Sequence, residues 1–288
     1  MFIAKIENSK NNILTLTQNE SEYQVYNIDG LNPPKAQINT SKVAGIDGSK
    51  FNSSKLEERN LVLYIKLNKD VEKNRIYLYS FFNTKEWCKF YYKNSTRDVY
   101  IEGYVETVEV TPFTNNEVMQ VSIICPGSYF KSLNEIIDDI SKALGKFTFP
   151  FAINETEPIE FSTIESGKVT DVYNDSETET GVIIEIDISG TVNSLQIKNT
   201  ITGETFGLNY SFIKYDKVVI NTNKGEKSIK LIRNGIESNI FTSIVRGSTF
   251  FQLSIGDNYF SYLVNGSATD DNELLHIVFK HYILYRGV

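Results

Sequence analysis

Histidine and cysteine are almost absent from this chain, and with them goes most of the usual vocabulary of catalysis. Two histidines and two cysteines stand among 288 residues. Nucleophilic catalysis would have to place His276 or His281 beside a serine or cysteine, and no G-x-S-x-G turn occurs. The two histidines are five apart on an expected strand, so they point to opposite faces and cannot chelate one ion together. Cys88 and Cys125 lie far apart among apolar neighbours, without C-x-x-C spacing. They read as reduced core thiols rather than as a disulfide or a zinc site. No metal, no cofactor and no enzymatic activity are expected.

Positive charge is also in short supply. Lys and Arg number 29 against 36 Asp and Glu, for a formal charge of −7, and no basic run stands out. Specific nucleic-acid binding, which depends on clustered Lys and Arg, is not expected. Apolar runs never reach the length of a membrane span, and the apolar start in MFIAKIENSK is too short for a signal-peptide core. The expectation is a chain kept in a cytoplasm with no membrane partner. Only six prolines occur, yet two are adjacent in NIDGLNPPKAQIN, Asn27 to Asn39. Pro33-Pro34 fixes φ and removes two amide donors just after an Asp-Gly turn, which reads as a stiff loop that no strand can recruit.

What the chain does hold is alternation. With 41% hydrophobic residues it packs rather than solvates, and its length suits two domains. LVLYIKL (Leu61 to Leu67) and MQVSIIC (Met119 to Cys125) put every second residue on an apolar face, as half-buried strands do. RDVYIEGYVETVEV alternates too, with Gly103 where a bulge or bend would fit. Asp70 to Asn83 is ambiguous and is read as a helix started by Asp70. SLNEIIDDISKALG carries an S-x-x-E capping box at Ser132 and Glu135, an apolar stripe at helical spacing and a closing Gly145. It predicts a linker helix. Beyond it, from FTFPF onward, short strand-like runs including FFQLS alternate with turn residues, and NTNKGEKS looks like a hairpin tip. The expected fold is mainly β: residues 1–131 as an N-terminal β domain with one or two helices, 132–146 as the linker helix, and 147–288 as a C-terminal antiparallel β-sandwich.

Other constellations resolve into ordinary structure. GEKS (Gly225 to Ser228) misses the first glycine of a phosphate loop and sits between strands. Asp138 and Asp139 are adjacent and read as the solvated face of the linker helix. DVYNDSETETG (Asp171 to Gly181) has neither the spacing nor the central glycine of a calcium loop and reads as a flexible acidic connection; TDDNE (Thr269 to Glu273) reads as a turn. Within GSTFFQLSIGDNYFSYLV, Phe250, Tyr259 and Tyr262 are candidate ligand-facing aromatics able to stack on sugar rings where exposed.

The segments DGLNPPKA, GIDGSKF, RNLVLYIKL and SIICPGSYF, then FTFPF, IKNTITGE, KVVINTNKGEKSIKLIRNG, STFFQLSIGDNYFSY and YRGV, follow an order similar to that of the distal tail proteins of tailed phages infecting Gram-positive bacteria. The resemblance spans nearly the whole chain. It implies a homohexameric ring formed by the first domain, with the tail tube protein on one face and the tail hub or tail-associated lysin on the other. It also implies a galectin-like or carbohydrate-module-like second domain that docks receptor-binding proteins, in a virion assembled in the host cytoplasm. Candidate contact residues are Asp29, Gly30, Leu31, Asn32, Pro33 and Pro34 in the first loop, and Ile46, Asp47, Gly48 and Phe51 in a following hairpin. An acidic ring lumen would let DNA pass without sticking. Two departures fall in the second domain: Tyr215-Asp216 where relatives tend to have Gly-Asp, and the long acidic stretch around Asp175. The alternatives are a carbohydrate-binding adhesin acting through the sandwich and a hydrolase using His276 or His281.

Overall fold

The computed structural model describes residues 2–16, 22–111, 117–139, 169–265 and 274–288. The chain divides into two compact units, 1–134 with 284–288 and 135–283.

Unit 1 contains β1 (Ile3–Asn8), β2 (Ile13–Leu16), β3 (Tyr23–Asp29), β4 (Ala36–Ser41), β5 (Lys50–Leu56), β6 (Arg59–Leu67), α1 (Val71–Phe81), β7 (Trp87–Lys93), β8 (Asp98–Val110), β9 (Val118–Cys125) and β10 (Phe130–Ser132). The main sheet runs β2-β1-β7-β8-β9-β6-β3, and β4 and β5 form a separate two-stranded ladder. The alternation in β6 and β9 is realised residue by residue. Leu61, Leu63, Ile65 and Leu67 turn inward to meet Met119, Val121, Ile123 and Cys125, all buried. Cys88 and Cys125 are free thiols in this core, and burial pushes both up to about 12. The helix after Asp70 forms, packing Leu78 and Phe81 into the core, although the Asp70 side chain makes no capping bond.

Gly103 is not a bulge. The register of β8 against β9 slips between Val105 and Thr107 instead. At Gly103 a Cβ would lie 2.8 Å from Cys125 Sγ, so the residue is small because the neighbouring strand's side chains pass over it.

Unit 2 contains β11 (Ile136–Asp139), β12 (Thr170–Asn174), β13 (Ile183–Ile188), β14 (Val192–Asn199), β15 (Thr205–Phe212), β16 (Lys217–Asn221), β17 (Ser228–Arg233), β18 (Ile236–Asn239), β19 (Gly256–Val264) and β20 (Leu275–His281). Two antiparallel sheets, β11-β20-β13-β16-β17-β18 and β12-β19-β14-β15, enclose one apolar core, a β-sandwich. Finally β21 (Leu284–Tyr285) pairs with β10 and belongs to unit 1.

Several further expectations change. The stretch read as a linker helix is extended where it is described: Ser132 ends β10, and Ile136–Asp139 pairs along the edge of β20. Ser132 Oγ donates to the Asn134 carbonyl at 2.7 Å instead of capping Glu135. A free sheet edge supplies hydrogen bonds that an isolated short helix cannot match, and two β-branched isoleucines favour it. Residues 140–146 of that stretch, FTFPF and the whole of TDDNE lie outside the described residues. Asp138 and Asp139 are consequently on opposite faces of a strand, Asp139 Oδ2 standing 3.0 Å from His276 Nε2. The acidic connection is ordered: β12 is followed by a turn around buried Asn174, whose Nδ2 donates to the carbonyls of Thr178 (3.2 Å) and Leu253 (3.0 Å). FFQLS, read as a strand, bridges only at Leu253 with Thr180.

Candidate functional site

The double proline lies in a loop held from below by one buried charge. β3 ends at Asp29, and Gly30 adopts φ +89° with the Asn60 carbonyl 2.2 Å from where a Cβ would be, so only glycine fits. Arg59, 2% exposed, lies beneath. Its guanidinium donates to the carbonyls of Gly30, Asn32 (2.6 Å), Ser128 (2.9 Å) and Arg286 (2.6 Å), and its carbon stands 4.5 Å over the Phe130 ring. Burial lowers its pKa. Carbonyl dipoles and a ring face solvate this charge in place of a carboxylate partner.

The segment after β21 completes the clamp. Val288 N donates to the Leu31 carbonyl at 3.0 Å, and Arg97, 4.5 Å over the Tyr285 ring, donates to the Gly287 carbonyl. Three successive carbonyls of the loop are therefore taken, and the two prolines that follow carry no N–H. The stiffness read from the sequence has a second cause the sequence did not show.

From the loop the chain runs into the β4–β5 ladder. Every residue from Lys35 to Glu58 is exposed, including Ile38 (61%), Ile46 (68%) and Phe51 (59%). Among the described residues nothing of the chain itself covers this arm. A two-stranded hairpin alone is marginal in water, and clustered exposed apolar residues mark a surface meant for a partner. Between the loop and the arm's root lies a groove of about 870 Å3, lined on its apolar side by Pro33, Pro34, Leu56 and Ile124. The first six candidate contact residues, Asp29 to Pro34, thus sit together at the root. Ile46, Asp47 and Gly48 occupy the far turn, with Phe51 beside it on β5.

Arg59 and Ile38 escaped the sequence reading. The signal for Arg59 was present: counting by twos from Leu61 puts it on the buried face of β6.

In unit 2 the aromatic candidates separate. Tyr262 is 9% exposed and packs in the core. Phe250 is half-buried, stacked on Phe241 at 5.7 Å with Lys227 Nζ 5.2 Å from its ring. Tyr259 faces outward opposite Asp171, and beside it exposed Tyr173 lies opposite Asp257. His281 is buried, its pKa lowered by desolvation, while His276 lies between Asp139 and Asp187. Among the described residues no group of three or more His, Cys, Asp or Glu is placed to hold a metal, and no helix is long and apolar enough to cross a membrane.

Two family models match the sequence, the phage tail protein RIFT-related domain over residues 15–125 and the siphovirus-type tail component C-terminal domain over residues 175–279. The chain belongs to the siphovirus-type tail proteins. This tail protein is therefore a structural component of a phage tail or baseplate, and its place is the virion. Its fold matches that of SPP1 Dit (gp 19.1), described as a paradigm of the hub adsorption apparatus in Gram-positive-infecting phages. The TM-score is 0.69 at 11% identity, over 99% of each chain. A chain of the phage P2 baseplate in its activated conformation with Ca matches with TM-score 0.52 at 12% identity, over 98% of each. No curated protein sequence matches significantly.

Proposed function

We propose that unit 1 of this tail protein closes into a homohexameric ring that joins the end of the tail tube to the tail hub or tail-associated lysin. The sandwich serves as a docking platform for receptor-binding proteins, and assembly takes place in the host cytoplasm. The arm from Lys35 to Glu58 carries this reading: 24 consecutive residues without one buried position are folded only at a loss unless a neighbour covers them. A closed ring also uses up exposed sheet edges that would otherwise polymerise. Negative-stain electron microscopy of the purified chain tests it. Annular particles with six-fold symmetry are expected, and a field of single small particles at every concentration would end the proposal.

A second reading rests on the outward face of β12 and β19. Tyr173 and Tyr259, each opposite an aspartate, combine ring faces with acceptors for hydroxyl groups, the chemistry of sugar recognition. Glycan-array binding by the chain, lost in Tyr259→Ala, would favour an adhesin role; an array without signal removes it.

A further inference from the structure

We infer that residues 284–288 are a completion strap: unit 1 becomes able to join a ring only after unit 2 has been made and this segment has closed onto unit 1. Competence for the ring rests on the reading above. Closure of the strap stands apart from it and has a readout of its own.

Unit 1 is discontinuous. Its first run ends at Asn134, and the whole of unit 2 passes before Leu284 opens its second run. At about 5–20 residues per second, synthesis of that intervening stretch takes roughly 7–30 s, whereas a domain ordinarily folds as a unit soon after it emerges. The unit made first therefore lacks a strand until the unit made second is complete.

The missing piece is not a minor one. β21 adds to β10, with Tyr285 opposite Phe130 and Leu284 opposite Lys131, and Tyr285 and Val288 pack against the core of unit 1. Charge makes the dependence sharper. The Arg59 guanidinium donates to the Arg286 carbonyl at 2.6 Å, and Arg97 uses both the Gly287 carbonyl and the Tyr285 ring. Two cations placed to be solvated by strap backbone, one of them 2% exposed, lose those acceptors while the strap is away.

The strap also sets the proline loop. Val288 N donates to the Leu31 carbonyl at 3.0 Å. Gly287 passes so close that a Cβ there would stand 3.0 Å from the Leu31 carbonyl oxygen and 3.1 Å from Pro33 Cδ. The carbonyls of Gly30 and Asn32 rest on Arg59, which the strap in turn helps to hold. The loop from Asp29 to Pro34 thus takes its fixed form only with the strap in place, and without it the cost of ordering falls on assembly. In a closed ring each copy touches two others, so one unfinished copy spoils two contacts. Withholding competence until both units exist keeps such copies out.

The test compares the intact chain, a chain stopped after Ile283, and full-length Gly287→Val, whose added side chain meets Leu31 and Pro33. Hydrogen exchange in β10 and chymotryptic cleavage after Leu31 read strap closure, and native mass spectrometry reads assembly. In both altered chains, β10 is expected to exchange and Leu31 to be cut at least tenfold faster, β16 and β17 to keep their protection, and the chains to stay single. A peptide spanning Tyr282 to Val288, added in excess to the stopped chain, is expected to restore all three readouts. Altered chains that keep β10 protected, or that assemble like the intact one, overturn the inference. So does loss of protection spreading to β16 and β17, which marks collapse of the whole chain, and so does a stopped chain that the peptide leaves unchanged. An intact chain that stays single, with β10 and Leu31 still responding to removal of the strap, brings down the ring reading and leaves the strap standing.

Discussion

Two hairpins of similar length behave in opposite ways. The hairpin of β16 and β17 turns through NTNKGEKS and buries Val218 and Ile220 against Ile229 and Leu231, all at 1% exposure or less. Its ends are fastened by Arg233, which donates to Asp216 Oδ1 at 2.8 Å and Oδ2 at 2.6 Å. The hairpin of β4 and β5 buries nothing. Its sequences AQINTS and KFNSSKL hold too few apolar residues to join a core, yet those they hold stand in water. The one hairpin is held by the core it joins, and the other, on the ring proposal, is held by a neighbour.

Four experiments test this contrast. The largest effect is expected from Arg59→Met, which strips four carbonyls of their donor. Unit 1 should lose about 4 kcal/mol in calorimetry while the transition of unit 2 stays put. A matched pair comes next: Ile220→Ala should destabilise unit 2 by about 3 kcal/mol, whereas Ile38→Ala on the arm should stay within about 0.5 kcal/mol in denaturant melts. Equal losses at both sites would erase the contrast.

Acid probes the fastening of the buried hairpin. The Arg233 guanidinium holds the Asp216 carboxyl below its usual pKa. The pair therefore adds stability, about 1 kcal/mol, that is fully present above about pH 4 and disappears as the pH falls through the lowered native value. Melting of the unaltered chain and of Asp216→Asn should differ at pH 7 and converge towards pH 2; a gap that persists in acid refutes the linkage. The smallest change is a gain. Tyr215 is 82% exposed with φ +73°, a left-handed conformation costly for a tyrosine. Tyr215→Gly should stabilise unit 2 by about 0.5 kcal/mol, since relief of strain exceeds the entropy glycine brings to the unfolded chain. A drop in melting temperature would show that the Tyr215 ring makes a contribution of its own.

Much of this was legible from the chain alone. Period-two patterns placed the inward faces of β6 and β9 residue by residue, because a half-buried strand leaves its parity in the sequence. Failures came where distant partners decide. Ile136–Asp139 reads as a capped helix until β20 is beside it, and the order of the acidic stretch depends on Asn174 reaching Leu253. Of the candidate site, the proline loop was visible because Pro and Gly announce backbone geometry. The clamp was not, since its donors, Arg59 and Arg97, meet carbonyls from residues up to 227 positions away.

On the proposed ring, the arm exists for another copy. Native mass spectrometry of the chain with Ala36 to Leu56 replaced by a short turn, beside the intact chain, tests it most directly. The intact chain should appear as six chains of 32.8 kDa each, and the shortened chain as single, folded copies with unaltered melting. Six-membered particles of the shortened chain would contradict it.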